Sequence, residues 1–136
     1  MELLEIKNLS KKFDEKCVLN DINLNLSSGK IIGFLGKNGA GKTTLIKLIN
    51  DLLTPTSGAI FVKGNKIGVE TKKIISYLPE RTYLNNQMKV KEIFRYFEDF
   101  YDDFDIQKAM RLLKDLDLDE NQSLSKMSKG MKEKVQ

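Results

Sequence analysis

The chain has 136 residues, of which 40% are hydrophobic and 31% charged, and its net charge is +4. These values are typical of a globular domain long enough to bury a core. Lysines alternate with acidic residues in most segments, which indicates a solvated surface, so no nucleic-acid partner is expected. The apolar runs are far shorter than the roughly 20 residues that span a bilayer. Cys17 is the single cysteine and histidine is absent, which excludes a disulfide framework and argues against a catalytic thiol.

The first part of the chain predicts strands and a helix around a glycine-rich stretch. Apolar and polar residues alternate in 3–9 and 18–26, as in half-buried strands. Residues 31–35 (IIGFL) are continuously apolar between polar neighbours and glycines, which predicts a strand covered on both faces. Apolar residues then recur at helical spacing as far as Leu53, and Thr54-Pro55 predicts the end of that helix.

The remainder predicts short strands followed by helices. A hairpin that turns at Gly64-Asn65 is expected after residue 58, and 74–78 (IISYL) read as a further strand. Helical spacing of apolar residues in 90–101 and 105–116 predicts two helices. The aromatic stripe around Phe97 is attributed to core packing.

The glycine-rich stretch GKNGAGKT matches the phosphate-binding pattern G-x-x-x-x-G-K-[ST] at every fixed position. Glycines let successive backbone amides surround a triphosphate, and the following helix directs its positive end to the same point. We expect Lys42 to contact the β- and γ-phosphates, Thr43 to bind Mg²⁺ and Thr44 to donate toward the α-phosphate. The predicted site for the nucleotide consists of Gly36, Lys37, Asn38, Gly39, Ala40, Gly41, Lys42, Thr43 and Thr44.

Hydrolysis at such a site also needs an acid that holds Mg²⁺ at the end of a buried strand. Asp119-Glu120, which follows leucines in 113–120, is one candidate. However, Asp115 and Asp117 alternate with those leucines, whereas a buried parallel strand is almost entirely apolar. The end of a helix is therefore the preferred interpretation of this segment.

Several segments, taken in order, resemble the ATP-binding cassette (ABC) ATPases, which drive ABC transporters. Residues 5–49 resemble the family's first sheet and Walker A loop, and 56–67 resemble its small antiparallel subdomain. Phe13 stands where the family has an aromatic that stacks on adenine, and a structural strand-end Phe is the alternative. Glu80 stands at the glutamine of the family's Q-loop, and the resemblance implies that it ligates Mg²⁺ directly or through water.

Residues 124–136 resemble the segment that carries the family signature LSGGQ, matched here by Met127-Ser128-Lys129-Gly130-Met131. In the family, this helix start contacts the γ-phosphate of ATP held by the opposite subunit. The resemblance implies that role for Ser128, Lys129, Gly130 and Met131, with Lys129 in place of the middle glycine. A lysine-rich helix start without such a role is the alternative.

The resemblance implies an α/β P-loop NTPase fold that is incomplete. We expect a single partial ABC ATPase domain over 1–136, with the nucleotide-binding core and antiparallel β part in 1–80 and the helical subdomain with the signature in 81–136. The family domain continues with the Walker B strand, the catalytic glutamate and a switch histidine, none of which is found before Gln136. The chain is therefore expected to be an N-terminal fragment that binds nucleotide and does not turn it over alone.

The implied function is that of the ATP-binding subunit of an ABC transporter, with ATP and Mg²⁺ as cofactors. Glu80 and the signature are most similar to bacterial drug- or peptide-exporting cassettes, so ATP hydrolysis in the intact protein is expected to drive export. The implied partners are transmembrane permease subunits and a second ATPase subunit, identical or different. The implied location is cytoplasmic, at the inner face of the membrane through the permease. The alternatives are a binding-only or inactive fragment and a non-transport ABC ATPase.

Overall fold

The structure, a computed structural model, describes residues 2–136, which form two compact units. The first unit extends to Tyr77, and the second is Leu78–Gln136. Each unit has its own hydrophobic core.

The first unit contains a four-stranded antiparallel sheet. Its strands are β1 (Glu2–Phe13), β2 (Lys16–Ser27), β3 (Ser57–Val62) and β4 (Asn65–Lys66), in the order β2-β1-β3-β4. The predicted strands in 3–9 and 18–26 are confirmed, and both are longer than expected. The predicted hairpin is also present, but it turns at Lys63-Gly64, where both residues have a positive φ as a two-residue turn of this type requires.

Helix α1 (Lys42–Ile49) packs its Leu45 and Leu48 side chains into the core of the first unit, and a short helix α2 (Val69–Lys72) follows β4. The other members of this core come from the sheet: Ile6, Leu9, Leu19 and Ile60. Helix α1 ends four residues before the predicted end. The Asn50 side chain donates to the carbonyl oxygen of Ile46 at 2.8 Å, and Asp51 adopts a left-handed backbone, which stops the helix there.

Two predicted strands are not formed within residues 2–136. Residues 31–35 have no regular structure, pair with no strand and expose their apolar side chains, Ile31 and Leu35 most of all. Residues 74–78, the other predicted strand, likewise form none, because Ile74 lies in a turn and 75–78 have no regular structure. An apolar run becomes a buried strand only where neighbouring strands pair with its backbone and other layers cover its faces. None of the four strands described pairs with either segment. The apolar pattern of these residues was therefore not sufficient to predict a strand.

The second unit is helical. It contains α3 (Val90–Phe100), α4 (Ile106–Asp115), a single 3-10 turn (Leu124–Lys126) and α5 (Lys129–Val135). The two predicted helices are thus confirmed within two residues. Among the residues that the structure describes, 2–136, no helix is long and apolar enough to cross a membrane. The longest helix, α3, has 11 residues.

The first part of the aromatic stripe of α3, Phe94 and Phe97, packs into the core of this unit, as expected. Phe94 is buried, and the ring of Phe97 lies 5.8 Å from that of Phe104 and 5.5 Å from that of Tyr101. Phe100 and Tyr101, the last aromatics of the stripe, are exposed and do not belong to the core. The segment 113–120 is not a strand: α4 ends within it at Asp115, as preferred from the sequence, and the positive φ of Asp117 keeps the helix from continuing through the irregular remainder.

Candidate nucleotide-binding site

The glycine-rich stretch forms a tight curl that leads directly into α1. The amide of Ala40 donates to the carbonyl oxygen of Lys37 at 3.1 Å, and Gly39 and Gly41 have φ values of 82° and 91°. The first helical bond joins the amide of Leu45 to the carbonyl oxygen of Gly41 at 2.9 Å. The curl therefore lies at the amino-terminal, electropositive end of the helix.

Gly41 is required by space as well as by backbone conformation. A Cβ atom at this position would lie 2.9 Å from Cδ2 of Leu19 and 3.1 Å from the carbonyl oxygen of Val18. The curl therefore packs directly against β2. The sequence indicated a half-buried strand here, but nothing in it linked Val18 and Leu19 to the phosphate loop.

The curl offers donors to an anion. The backbone amides of Gly39, Gly41, Lys42 and Thr43 donate to no other group in residues 2–136. A Cβ atom on Gly36 would lie 3.5 Å from Cβ of Ala40 and 3.7 Å from Nζ of Lys42, so a side chain there would occupy the inside of the curl. Free backbone amides in a glycine-rich curl fit a polyphosphate.

Lys42 crosses the curl. Its ammonium group donates to the carbonyl oxygen of Gly36 and, at 2.8 Å, to that of Lys37. An ammonium group has three N–H donors, so one remains for a phosphate oxygen. This position fits the predicted contact with the terminal phosphates.

Thr43 and Thr44 follow Lys42 in the first turn of α1, where Thr43 is exposed and Thr44 is half-buried. An exposed hydroxyl beside a phosphate cradle fits Mg²⁺, which keeps several waters and takes few protein ligands. Across residues 2–136 there is no group of three acidic, cysteine or histidine side chains that could hold a metal by itself. The other predicted Mg²⁺ ligand, Glu80, is exposed in the second unit.

Phe13 is the last residue of β1 and is 42% exposed, so its ring is not part of the core. Nζ of Lys11 lies over this ring, 4.8 Å from its centroid. Lys11 in turn pairs with Leu19 of β2, the residue on which Gly41 rests. The exposed ring of Phe13 thus lies on the same hairpin, β1 and β2, that packs against the curl.

In the second unit, Glu80 and Lys129 line the same cleft. Arg81, Thr82, Lys132 and Glu133 complete its lining, and Nζ of Lys129 lies 3.7 Å from Oε1 of Glu133. The structure therefore brings together two predicted site residues that are far apart in the sequence. The other charged residues of the cleft were not identified from the sequence, because no local pattern marks them.

The signature-like segment forms the start of α5. Ser128 caps the helix, since its Oγ accepts from the amide of Met131 at 3.3 Å, and the space beside Gly130 is open. Met127 is buried in the core of the second unit and Met131 packs against that core. Ser128, Lys129 and Gly130 are exposed, whereas the side chain of Met131 is directed toward the protein interior.

Comparisons with known proteins identify the family of this chain. The profile of the ABC_tran family, described as ABC transporter, matches residues 19–136. The chain is 30% identical over 135 residues to the ABC transporter ATP-binding protein YtrB of Bacillus subtilis (strain 168), covering 98% of this chain and 46% of YtrB. It is 38% identical over 112 residues to the zinc import ATP-binding protein ZnuC of Vibrio vulnificus (strain YJ016), covering 82% of this chain and 40% of ZnuC. The chain thus spans less than half the length of these two relatives.

A solved structure described as the ATP binding subunit of an ABC transporter has a TM-score of 0.83 to this chain. The two are 33% identical, and the match covers 98% of this chain and 59% of the solved one. The similarity confirms both the predicted family and the predicted α/β P-loop fold, of which this chain contains a part. This chain belongs to the ABC transporter ATP-binding family.

Proposed function

We propose that this chain is the nucleotide-binding part of an ABC transporter ATPase and that it binds Mg-ATP at the curl of residues 36–44. The observation that carries the proposal is the set of unbonded amides at the start of α1, with the Lys42 ammonium group across the curl. A triphosphate is the ligand whose charge density and length match such a set of donors.

The residues of the proposed site have separate tasks. The amides of Gly39, Gly41 and Lys42 bind phosphate oxygens, and the remaining N–H of the Lys42 side chain binds the terminal phosphates. The Thr43 hydroxyl holds Mg²⁺, whose charge offsets that of the phosphates. Phe13 supplies a flat surface on which adenine stacks.

The second unit contributes to a second nucleotide. We assign Ser128 and Gly130 to contacts with ATP held by another ATPase subunit, since both are exposed at the start of α5. Lys129 adds a positive charge at the same point. Glu80, which lines the cleft with Lys129, is the proposed Q-loop ligand that reaches Mg²⁺ directly or through water.

The chain alone is proposed to bind nucleotide without sustained hydrolysis. Within residues 2–136 no buried parallel strand ends in an acidic residue. In 113–120, Asp115 is the last residue of α4, and Asp117, Asp119 and Glu120 lie in the turn and irregular stretch that follow the helix. Such an acid is needed to complete Mg²⁺ coordination in this class of enzyme. Sustained Mg²⁺-dependent release of phosphate by the purified chain would contradict this part of the proposal.

The proposed partners are a second ATPase subunit and permease subunits, which would hold the chain at the cytoplasmic face of the membrane. Export is the proposed direction, on the basis of Glu80 and Met131. Import is the second candidate, favoured by the identity of 38% to a zinc import protein. Vesicles that contain the full transporter would distinguish the two by whether the substrate accumulates inside or is lost.

Titration with a fluorescent ATP analogue tests the nucleotide site. Substitution of Lys42→Ala removes a charge-assisted contact, so we expect affinity to fall about tenfold or more. Lys47→Ala is the control, because Lys47 is an exposed lysine in the last turn of the same helix. Equal affinity of the wild type and the Lys42 variant would overturn the proposal.

A further inference from the structure

We propose that Lys11 is a positioning residue for the nucleotide base, which fixes the Phe13 ring and reserves one face of it for adenine. This inference rests on the proposed function, since it concerns how the same site holds the base. Neither the family pattern nor the glycine motif assigned a role to Lys11.

Two contacts fix the ammonium group of Lys11. Its Nζ lies 4.8 Å from the centroid of the Phe13 ring, and it donates to the carbonyl oxygen of Thr54 at 2.8 Å. A cation at this distance is attracted to the negative face of the ring. The carbonyl of Thr54 holds the cation in place, so the cation in turn restrains the ring.

The position of Lys11 along β1 explains why it contacts Phe13. Side chains two residues apart in a strand lie on the same face, about 7 Å apart along the strand. Lys12 lies between them in the chain, and its backbone amide donates to Oγ1 of Thr56 at 2.9 Å. Lys11 and Lys12 thus have the same charge and neighbouring positions, but of the two it is Lys11 that contacts the ring of Phe13.

A series of direct contacts connects the ring to the phosphate loop. Lys11 contacts Phe13 on one side and pairs with Leu19 across the hairpin. Leu19 lies directly under Gly41, where a Cβ atom would be 2.9 Å from Cδ2 of Leu19. A ring fixed by Lys11 is therefore held relative to the amides that bind the phosphates, as the joined base and triphosphate of one nucleotide require.

The arrangement has a consequence for the base. The ammonium group occupies one face of the Phe13 ring, so a base can stack on the other face alone. A phenylalanine has no hydroxyl group with which to fix its own orientation. Fixing the ring in advance reduces the conformational freedom lost on binding, which strengthens binding of the base without any contact between Lys11 and the base.

Calorimetric titrations with Mg-ATP and with inorganic tripolyphosphate test this inference. The proteins are the wild type, Lys11→Met, Lys11→Arg, Lys12→Met and Phe13→Ala, each checked for folding by circular dichroism. Tripolyphosphate has no base, so it reports the phosphate loop alone. Lys12→Met removes the same charge from the same strand and corrects for long-range electrostatics.

Lys11→Met is expected to weaken Mg-ATP binding about two- to fivefold relative to Lys12→Met and to leave tripolyphosphate binding equal to that of Lys12→Met. Lys11→Arg should restore Mg-ATP binding, because a guanidinium group also binds the face of an aromatic ring. Phe13→Ala should abolish the difference between Lys11→Met and Lys12→Met when the substitutions are combined.

Two results would overturn the inference while leaving the proposed function intact. One is equal weakening of Mg-ATP by Lys11→Met and Lys12→Met. The other is a loss of tripolyphosphate affinity in Lys11→Met that matches its loss of Mg-ATP affinity. If the wild type bound neither ligand, the proposed function itself would be wrong, and the inference would be overturned with it.

Discussion

The ammonium group of Lys42 donates to the carbonyl oxygen of Gly36, so the seventh residue of the phosphate-binding pattern is bonded to the first. This contact closes the curl from inside and holds it in shape without help from the nucleotide. A loop that is already shaped loses less conformational entropy when it binds its ligand. Lys42 therefore has a structural task in addition to its proposed contact with phosphate.

Gly41→Ala is expected to destabilise the first unit more than Gly39→Ala. Both residues have a positive φ, so both substitutions introduce backbone strain of about 1–2 kcal/mol. At Gly41 the new Cβ atom would also meet Leu19 at 2.9 Å, whereas at Gly39 it would have open space. Urea denaturation measures the free energy of unfolding, and equal losses in the two variants would show that the close contact with Leu19 has no effect.

Thr43→Val is expected to remove the effect of Mg²⁺ on ATP affinity. The hydroxyl is exposed at the start of α1 and is the one predicted metal ligand of the first unit, while valine keeps the shape of the side chain. Titrations with the fluorescent ATP analogue in Mg²⁺ and in EDTA would measure this effect. The affinity in EDTA should be the same in the wild type and the variant. A full Mg²⁺ effect in the variant would exclude Thr43 as a ligand.

Leu124→Ala is expected to lower the free energy of unfolding of the second unit by about 2–5 kcal/mol, because Leu124 is fully buried in its core. Leu112→Ala is the matched control, since Leu112 lies on α4 with its side chain mostly exposed. Thermal unfolding followed by circular dichroism would compare them. The prediction fails if the two variants unfold at the same temperature.

Leu35→Lys combined with Ile31→Lys is expected to reduce self-association of the chain. In the described structure, residues 31–35 expose apolar side chains and a backbone that pairs with no strand, features that promote association between chains. Light scattering at increasing protein concentration would measure the change. Ser28→Lys, a nearby exposed position with a polar residue, controls for added charge. A wild type that stays monodisperse at high concentration would contradict the prediction.

Part of the local structure of this protein could be predicted from the sequence. Alternation in 3–9 and 18–26 identified two strands, and helical spacing identified α3 and α4 within two residues. The glycine pattern identified the curl, because glycine is the residue that adopts the positive φ of Gly39 and Gly41 without steric cost. In each case the deciding interaction joins neighbours in the chain or follows from the preference of a single residue.

Tertiary structure alone decided the rest. Residues 31–35 have the composition of a buried strand, but no strand of the described chain pairs with them. Three features depend on how the elements pack or on the register between them. They are the cleft shared by Glu80 and Lys129, the contact of Gly41 with Leu19, and the position of the Lys11 cation over Phe13. The physical reason is that strand pairing and core packing join distant parts of the chain. A local pattern indicates which side chains a segment can bury, but not which other segments will cover them.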